Sequence, residues 1–178
     1  MAKRGVQRYS GPRMVTDRGP ERTGVVRGLR LAGRSGEPIR DVDTAVAEVE
    51  RGFVGDRHAA RRPGHRRQLL LVDQAELDLL RPPGGVLKEN VLLEGINLES
   101  LEAGQRLHLG DEVVIELTEP CVPCSKLERI RPGLISDAWG HRGQLARVLA
   151  GGTVRVGDPV RLGTVNPDAP RPIRPRLP

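Results

Sequence analysis

Cys121 and Cys124 are the only thiols of the chain, and they stand three positions apart in the segment EPCVPCSKLERI. Ser125 and Glu128 have the spacing of a capping box, which predicts a helix starting at Cys124 or Ser125 and stopped by Pro132-Gly133. Both sulfurs would then lie at or just before a helix N-terminus, where unpaired N–H groups favour an anion and a thiolate forms more readily. Lys126 adds positive charge nearby. Three chemistries suit this arrangement: a thiolate metal ligand, a persulfide-carrying nucleophile, or a dithiol/disulfide pair. The structural alternative is a pair of small buried residues. Structural zinc is poorly supported, because one CxxC lacks a second pair and His58, His65, His108 and His141 are scattered.

A second segment, GDRHAARRPGHRR (55–67), holds five arginines and two histidines in a glycine-punctuated loop. Guanidinium groups grip phosphate or carboxylate bidentately, so Arg57, His58, Arg61, Arg62 and Arg66 are candidate contacts for an anionic cofactor. The plain alternative is a solvated basic loop. No GxxxxGK[ST] or strand-linked GxGxxG is present, so ATP and NAD are unsupported. Lys88-Glu89-Asn90 opens an apolar strand, and Asn90 could read a polar ligand or cap a turn. Trp139-Gly140-His141-Arg142-Gly143 is a loop beside a strand, with Arg142 a further anion contact.

The elements that must position these residues are mostly short strands. Segments 23–31, 68–72, 106–109, 112–118, 144–149, 153–156 and 159–162 all have strand length. In 112–118, Val113, Ile115 and Leu117 share one face. Gly110-Asp111 and Gly157-Asp158 precede strands, as tight turns require. Seven or more short strands and 22 glycines predict a barrel or sandwich-like sheet. One helix is predicted over 73–81, with Asp73 as N-cap, Glu76 three later and Pro82-Pro83 as the stop. Residues 42–53 fit either period, and a strand is the reading adopted there.

The charge pattern excludes several function classes. The net charge is +6, but residues 1–22 carry +4 and 165–178 carry +2, leaving 23–164 balanced at 20 basic and 20 acidic residues. Any nucleic-acid attraction would therefore come from the tails and be unspecific. With Phe53 and Trp139 the only rings in that balanced middle, there is no base-stacking platform. No apolar run approaches the roughly 20 residues of a membrane span, and the N-terminus lacks the apolar region of a secretory signal. Two thiols at this spacing fit a reducing compartment, so a cytoplasmic protein is expected. Residues 1–21 and 164–178 lack sustained apolar periodicity and are expected to be disordered tails, with the domain at 22–163.

Taken in order, the segments GVVRGLRL, GFVGDRH, QLLLVDQAELDLL, LKENVLLEGINL, LEAGQRLHLGDEVVIELTEP, Pro123-Cys124-x-x-Leu127 and RGQLARVLAGGTVRVGDPV resemble the MOSC family, named after the C-terminal part of molybdenum cofactor sulfurase. The likeness is collinear over about 22–163. It implies a mainly β fold with a few short helices, centred on a β-barrel like that of pyruvate kinase, and it favours a strand at 46–50. It also implies molybdenum cofactor (molybdopterin) chemistry, with Cys124 binding molybdenum or carrying sulfur. Arg57, His58, Arg61, Arg62, Arg66, Asn90, Ser125 and Arg142 would hold the pterin and its phosphate. Family members are also described as binding pyridoxal phosphate. With only Lys3, Lys88 and Lys126 available and no desulfurase domain, a Schiff-base site is not expected. Many relatives have Arg where this chain has Cys121, so Cys121 removes an anion contact and adds a possible resolving thiol.

The expected function is a stand-alone MOSC protein active in molybdenum-dependent redox or oxygen-atom transfer on N- or S-oxygenated small molecules. An external electron donor would be its partner. The alternatives are a persulfide carrier fed by a cysteine desulfurase and a non-catalytic barrel adaptor docking through its basic tails.

Overall fold

A strand reading QLLLV has no polar face, so both of its faces must be covered. The computed structural model, which describes residues 23–34, 37–59 and 61–170, shows how. This strand, β5 (Leu69–Asp73), is buried at every position. Leu69 and Leu71 join one apolar cluster with Val26, Leu29, Val91, Leu107, Ile115 and Val148, whereas Leu70 and Val72 join a second.

The first cluster fills a closed barrel. Its strands are β1 (Thr23–Ala32), β5, β6 (Val91–Glu94), β7 (Gln105–Leu109), β8 (Val113–Pro120), β9 (Gln144–Ala150) and β11 (Pro159–Val165). The order β11-β7-β8-β9-β5-β6-β1 closes through pairing of β1 with β11. The contacts are antiparallel except the parallel pair β5–β6, whose crossover carries helix α1 (Gln74–Leu80). β2 (Ile39–Val42) extends from the far end of β1, and β10 (Gly152–Arg155), β3 (Thr44–Glu48) and β4 (Gly52–Phe53) form a small separate sheet. Closure leaves the barrel strands without free edges.

The second cluster lies outside the barrel wall. Leu77 and Leu80 of α1, Leu127, and Leu134 and Ala138 around α2 (Leu134–Asp137) cover Leu70, Val72 and Leu92. This outer layer is where the thiol segment is anchored.

The mainly β barrel predicted from the sequence is present, and no end of the seven predicted strands moves by more than three residues. Asp73 and Glu76 form the predicted capping box, with Asp73 Oδ1 accepting from the Glu76 N–H at 3.0 Å and Glu76 Oε2 from the Asp73 N–H at 3.0 Å. Residues 44–48 are a strand. β2 and β4 have no counterpart in the seven predicted strands.

Two expectations need correction. No helix begins at Cys124 or Ser125. The chain instead makes hydrogen-bonded turns, Leu127 N–H to Cys124 O and Ile130 N–H to Leu127 O, before α2. The Glu128 carboxylate reaches forward to the Gly133 and Ile135 N–H groups instead of back to Ser125, and this holds its pKa below the usual value. The C-terminal boundary also moves. β11 continues to Val165, the Asn166 N–H bonds the Gly104 carbonyl, and Arg66 donates to the Pro170 carbonyl. Residues 1–22 and 171–178, which hold the rest of both tails, lie outside the described residues. No helix among the described residues is long and apolar enough to cross a membrane.

Candidate functional site

β8 ends at Pro120, and the chain then runs as Cys121, Val122 and Pro123 along one wall of a cavity of about 240 Å³. The lining also includes Trp139, Gly140, Arg142, Gly143 and Gln144, the segment entering β9, together with Glu76 of α1 and Glu99. The two segments are tied side by side by backbone, continuing the β8–β9 pairing: the Cys121 N–H donates to the Gly143 carbonyl at 2.8 Å. Gly143 has φ of +83°, and a Cβ there would collide with the Leu71 carbonyl. Only glycine adopts that conformation and close approach without strain. Glu76 completes the tie by accepting the Gly143 N–H at 3.1 Å.

The thiols occupy unlike surroundings. Cys121 is half-buried, packs against the outer apolar cluster and lines the cavity. Burial pushes its pKa up, against the opposing pull of the Arg142 and Arg67 guanidinium groups. Cys124, the residue after cavity-lining Pro123, is exposed. Desolvation therefore opposes the thiolate at Cys121. Leu127, fully buried in the outer cluster, fixes the turn that follows.

Arg142 is the most unusual polar group in the cavity. It is buried, and its Nη1 has no hydrogen-bond partner. No ion pair involves it among the described residues. Gln144, two residues on, donates to the Leu98 carbonyl but keeps a buried Oε1 without a partner. A guanidinium seldom stays buried without a carboxylate, because desolvation is costly. Glu76, only 4 % exposed, has its carboxyl pushed up to about 7, first by burial and then by the nearby Asp73 and Glu99 charges. Glu99 also pairs with His141.

The other predicted contacts lie elsewhere. Asn90 is buried with its side chain committed internally: Oδ1 accepts from Leu70 N–H, and Nδ2 donates to the Arg30 carbonyl and to Asp56. Asp56 also accepts from the Ala32 N–H and from both the N–H and Nδ1 of His58. Burial raises its pKa, but these hydrogen bonds outweigh burial and hold it below the usual value. Arg66 donates to the Thr118 carbonyl, Arg67 pairs with Glu119, and Arg61 and Arg62 are exposed. Arg57 is half-buried, and Ser125 is exposed. None of Arg57, His58, Arg61, Arg62, Arg66, Asn90, Cys124 or Ser125 lines the cavity, although Cys124 directly follows lining Pro123. The structure thus brings Cys121 and Arg142 together and adds Glu76, Glu99, Trp139 and Gln144. Glu76 was legible as a helix cap, but its second bond to Gly143 spans 67 residues and leaves no local signal. Among the described residues no cluster of His, Cys, Asp and Glu could hold a metal ion.

A family model described as the MOSC domain matches residues 55–161, more than half of the chain. No curated protein matches the sequence. Among solved structures, the YuaD protein from Bacillus subtilis aligns with a TM-score of 0.62 at 21 % identity, over 81 % of this chain and 97 % of that one. YiiM from Escherichia coli aligns with a TM-score of 0.60 at 21 % identity, over 82 % of this chain and 72 % of that one. YiiM from Geobacillus stearothermophilus aligns with the same TM-score at 17 % identity, over 82 % and 78 %. These neighbours share the barrel, and the matched sequence model assigns the lineage: the chain belongs to the MOSC domain family.

Proposed function

We propose that this protein binds molybdenum cofactor at the cavity and acts in molybdenum-dependent redox or oxygen-atom transfer on N- or S-oxygenated small molecules. The observation that carries the reading is the buried Arg142 with its unpartnered Nη1, in a cavity walled by the Cys121–Pro123 segment. Such a guanidinium suits the phosphate or another anionic part of the cofactor. Gln144 Oε1 offers an acceptor to a ring N–H. Cys124 supplies the soft thiolate, being exposed and at the family's position. When bound, the cofactor would supply a metal centre that exchanges oxygen and electrons with the substrate. The protein's part is to fix one anion, exclude water from the inner wall and keep Cys121 as a neutral thiol beside the ligand.

The test is the molybdenum and pterin content of protein purified from a molybdenum-sufficient host, beside an Arg142→Met variant. Parent protein should carry both, and the variant much less. Parent protein free of both would overturn the reading.

The exposure of Cys124 also favours a second reading, a persulfide carrier, since a sulfur donor protein must reach the thiol. One extra sulfur on Cys124 in metal-free protein, transferred to an acceptor thiol, would support it.

A further inference from the structure

We propose that Glu76 is the proton donor of the cavity, delivering a proton to the oxygen that leaves a bound substrate. This rests on the reductive reading above. Both Glu76 oxygens accept backbone N–H groups, Oε1 from Gly143 and Oε2 from Asp73, and the residue lines the cavity. These bonds fix the carboxyl in place from two chain segments that are distant in sequence. Both partners are donors, so the hydrogen of the neutral acid has no acceptor among them and is left to face the cavity.

The surroundings hold that proton near neutrality. Burial first, then the charges of Asp73 in the same capping box and of Glu99 in the same cavity lining, oppose ionisation and outweigh the Asp73 and Gly143 N–H bonds, so the carboxyl is pushed up to about 7. Arg142 and Cys121 are the other charged or titratable groups on the cavity wall, and His141 is paired with Glu99 outside it. A capping glutamate serving only the helix would be better placed ionised and in solvent, where it costs nothing to desolvate.

The step balances as a two-electron reduction. In a substrate R–NH–OH the N–O bond breaks, two electrons arrive from two equivalents of a one-electron donor, a reduced viologen in the assay, and two protons are taken up, giving R–NH2 and water. Glu76 gives one proton to the departing oxygen and is left as a carboxylate held by the Gly143 and Asp73 N–H groups. Solvent supplies the other proton and later reprotonates Glu76.

Glu76→Gln keeps the shape and one acceptor but carries no acid proton. With an aromatic hydroxylamine and a reduced viologen dye, kcat should fall about a hundredfold while KM changes little. The parent's loss of activity as pH rises through 7 should vanish from the variant profile, with molybdenum content retained. Unchanged kcat and an unchanged pH profile would reduce Glu76 to a cap and overturn the proposal. If the variant fails to fold, the Glu76 carboxyl of the unmodified metal-free protein is followed by 13C NMR. A midpoint near neutrality supports the proposal, and one in the ordinary carboxyl range of about 4.3 overturns it. Absence of molybdenum in the parent would instead strike the functional reading and leave this titration standing.

Discussion

The arginine-rich loop at 55–67 and the single Arg142 make opposite use of positive charge. The loop has five guanidinium groups, yet Arg66 and Arg67 are engaged with Thr118 and Glu119, and Arg61 and Arg62 stand in solvent. Its best-organised part is Asp56, which collects donors from β1, His58 and Asn90 and so ties the loop to the barrel. Arg142 has no ion-pair partner among the described residues, its Nη1 has no hydrogen bond, and it is nearly out of water. Density of charge therefore lies at the surface here, and the isolated charge lies on the cavity wall. An exposed guanidinium is already satisfied by water, while a buried unpaired one gains most when an anion arrives.

The largest expected effect lies at the thiols. Cys124→Ser should abolish activity and sulfur loading, and Cys121→Ser should leave partial function, because burial already disfavours the Cys121 thiolate. Turnover and sulfane sulfur on both single variants, with urea midpoints alongside, decide the matter. An active, sulfur-loaded Cys124→Ser protein would remove Cys124 from the chemistry.

Arg142→Met sharpens the comparison from the other side. Cofactor retention should fall about tenfold or more, the value of a lost charge-assisted hydrogen bond. The same change should leave the urea midpoint of cofactor-free protein unchanged or raised, since it deletes a buried unpaired charge. A large drop in stability would show that Arg142 has a structural partner.

Asp56→Ala should act in the reverse sense. It strands the Ala32 N–H and the Asn90 amide, costing about 3 kcal/mol in urea unfolding. Cofactor content in the remaining folded protein should be unchanged, and its loss would return the loop to the site.

Glu76 gives a pH signature of similar size. The folded pKa of about 7 lies above the ordinary 4.5, so folded protein holds an extra proton between those values. Stability should thus fall as pH rises from about 4.5 to 7, by about 3 kcal/mol in all, and stay flat above. Urea midpoints across that range should show this slope in the parent and not in Glu76→Gln. An identical slope in the variant would assign it to another group.

The smallest effect is expected from Arg61→Glu with Arg62→Glu. Exposed substitutions of this kind change stability by about 0.5 kcal/mol or less, and cofactor content should stay within twofold of the parent. A severe loss of cofactor would reverse the contrast between loop and buried arginine.

The sequence by itself determined the barrel. Alternation in 112–118, the two-faced apolar run at 69–72, and the glycine turns at 110 and 157 are local patterns, and each of those glycines has positive φ. The α1 capping box was equally legible, because all its atoms come from one turn. The collinear motifs also carried the family. The site's two sides, in contrast, were decided by tertiary structure. Glu128 was free to cap backward or forward, and packing of Leu127 and Leu134 in the outer cluster accompanies the forward choice, which removes the helix expected at the thiols. Asn90 and Arg142 looked alike as polar residues beside strands. Their difference lies in what surrounds them, since Asn90 finds three partners from distant segments and Arg142 Nη1 finds none. Satisfaction of a buried polar group depends on neighbours brought together by the closed barrel, and no spacing along the chain encodes it.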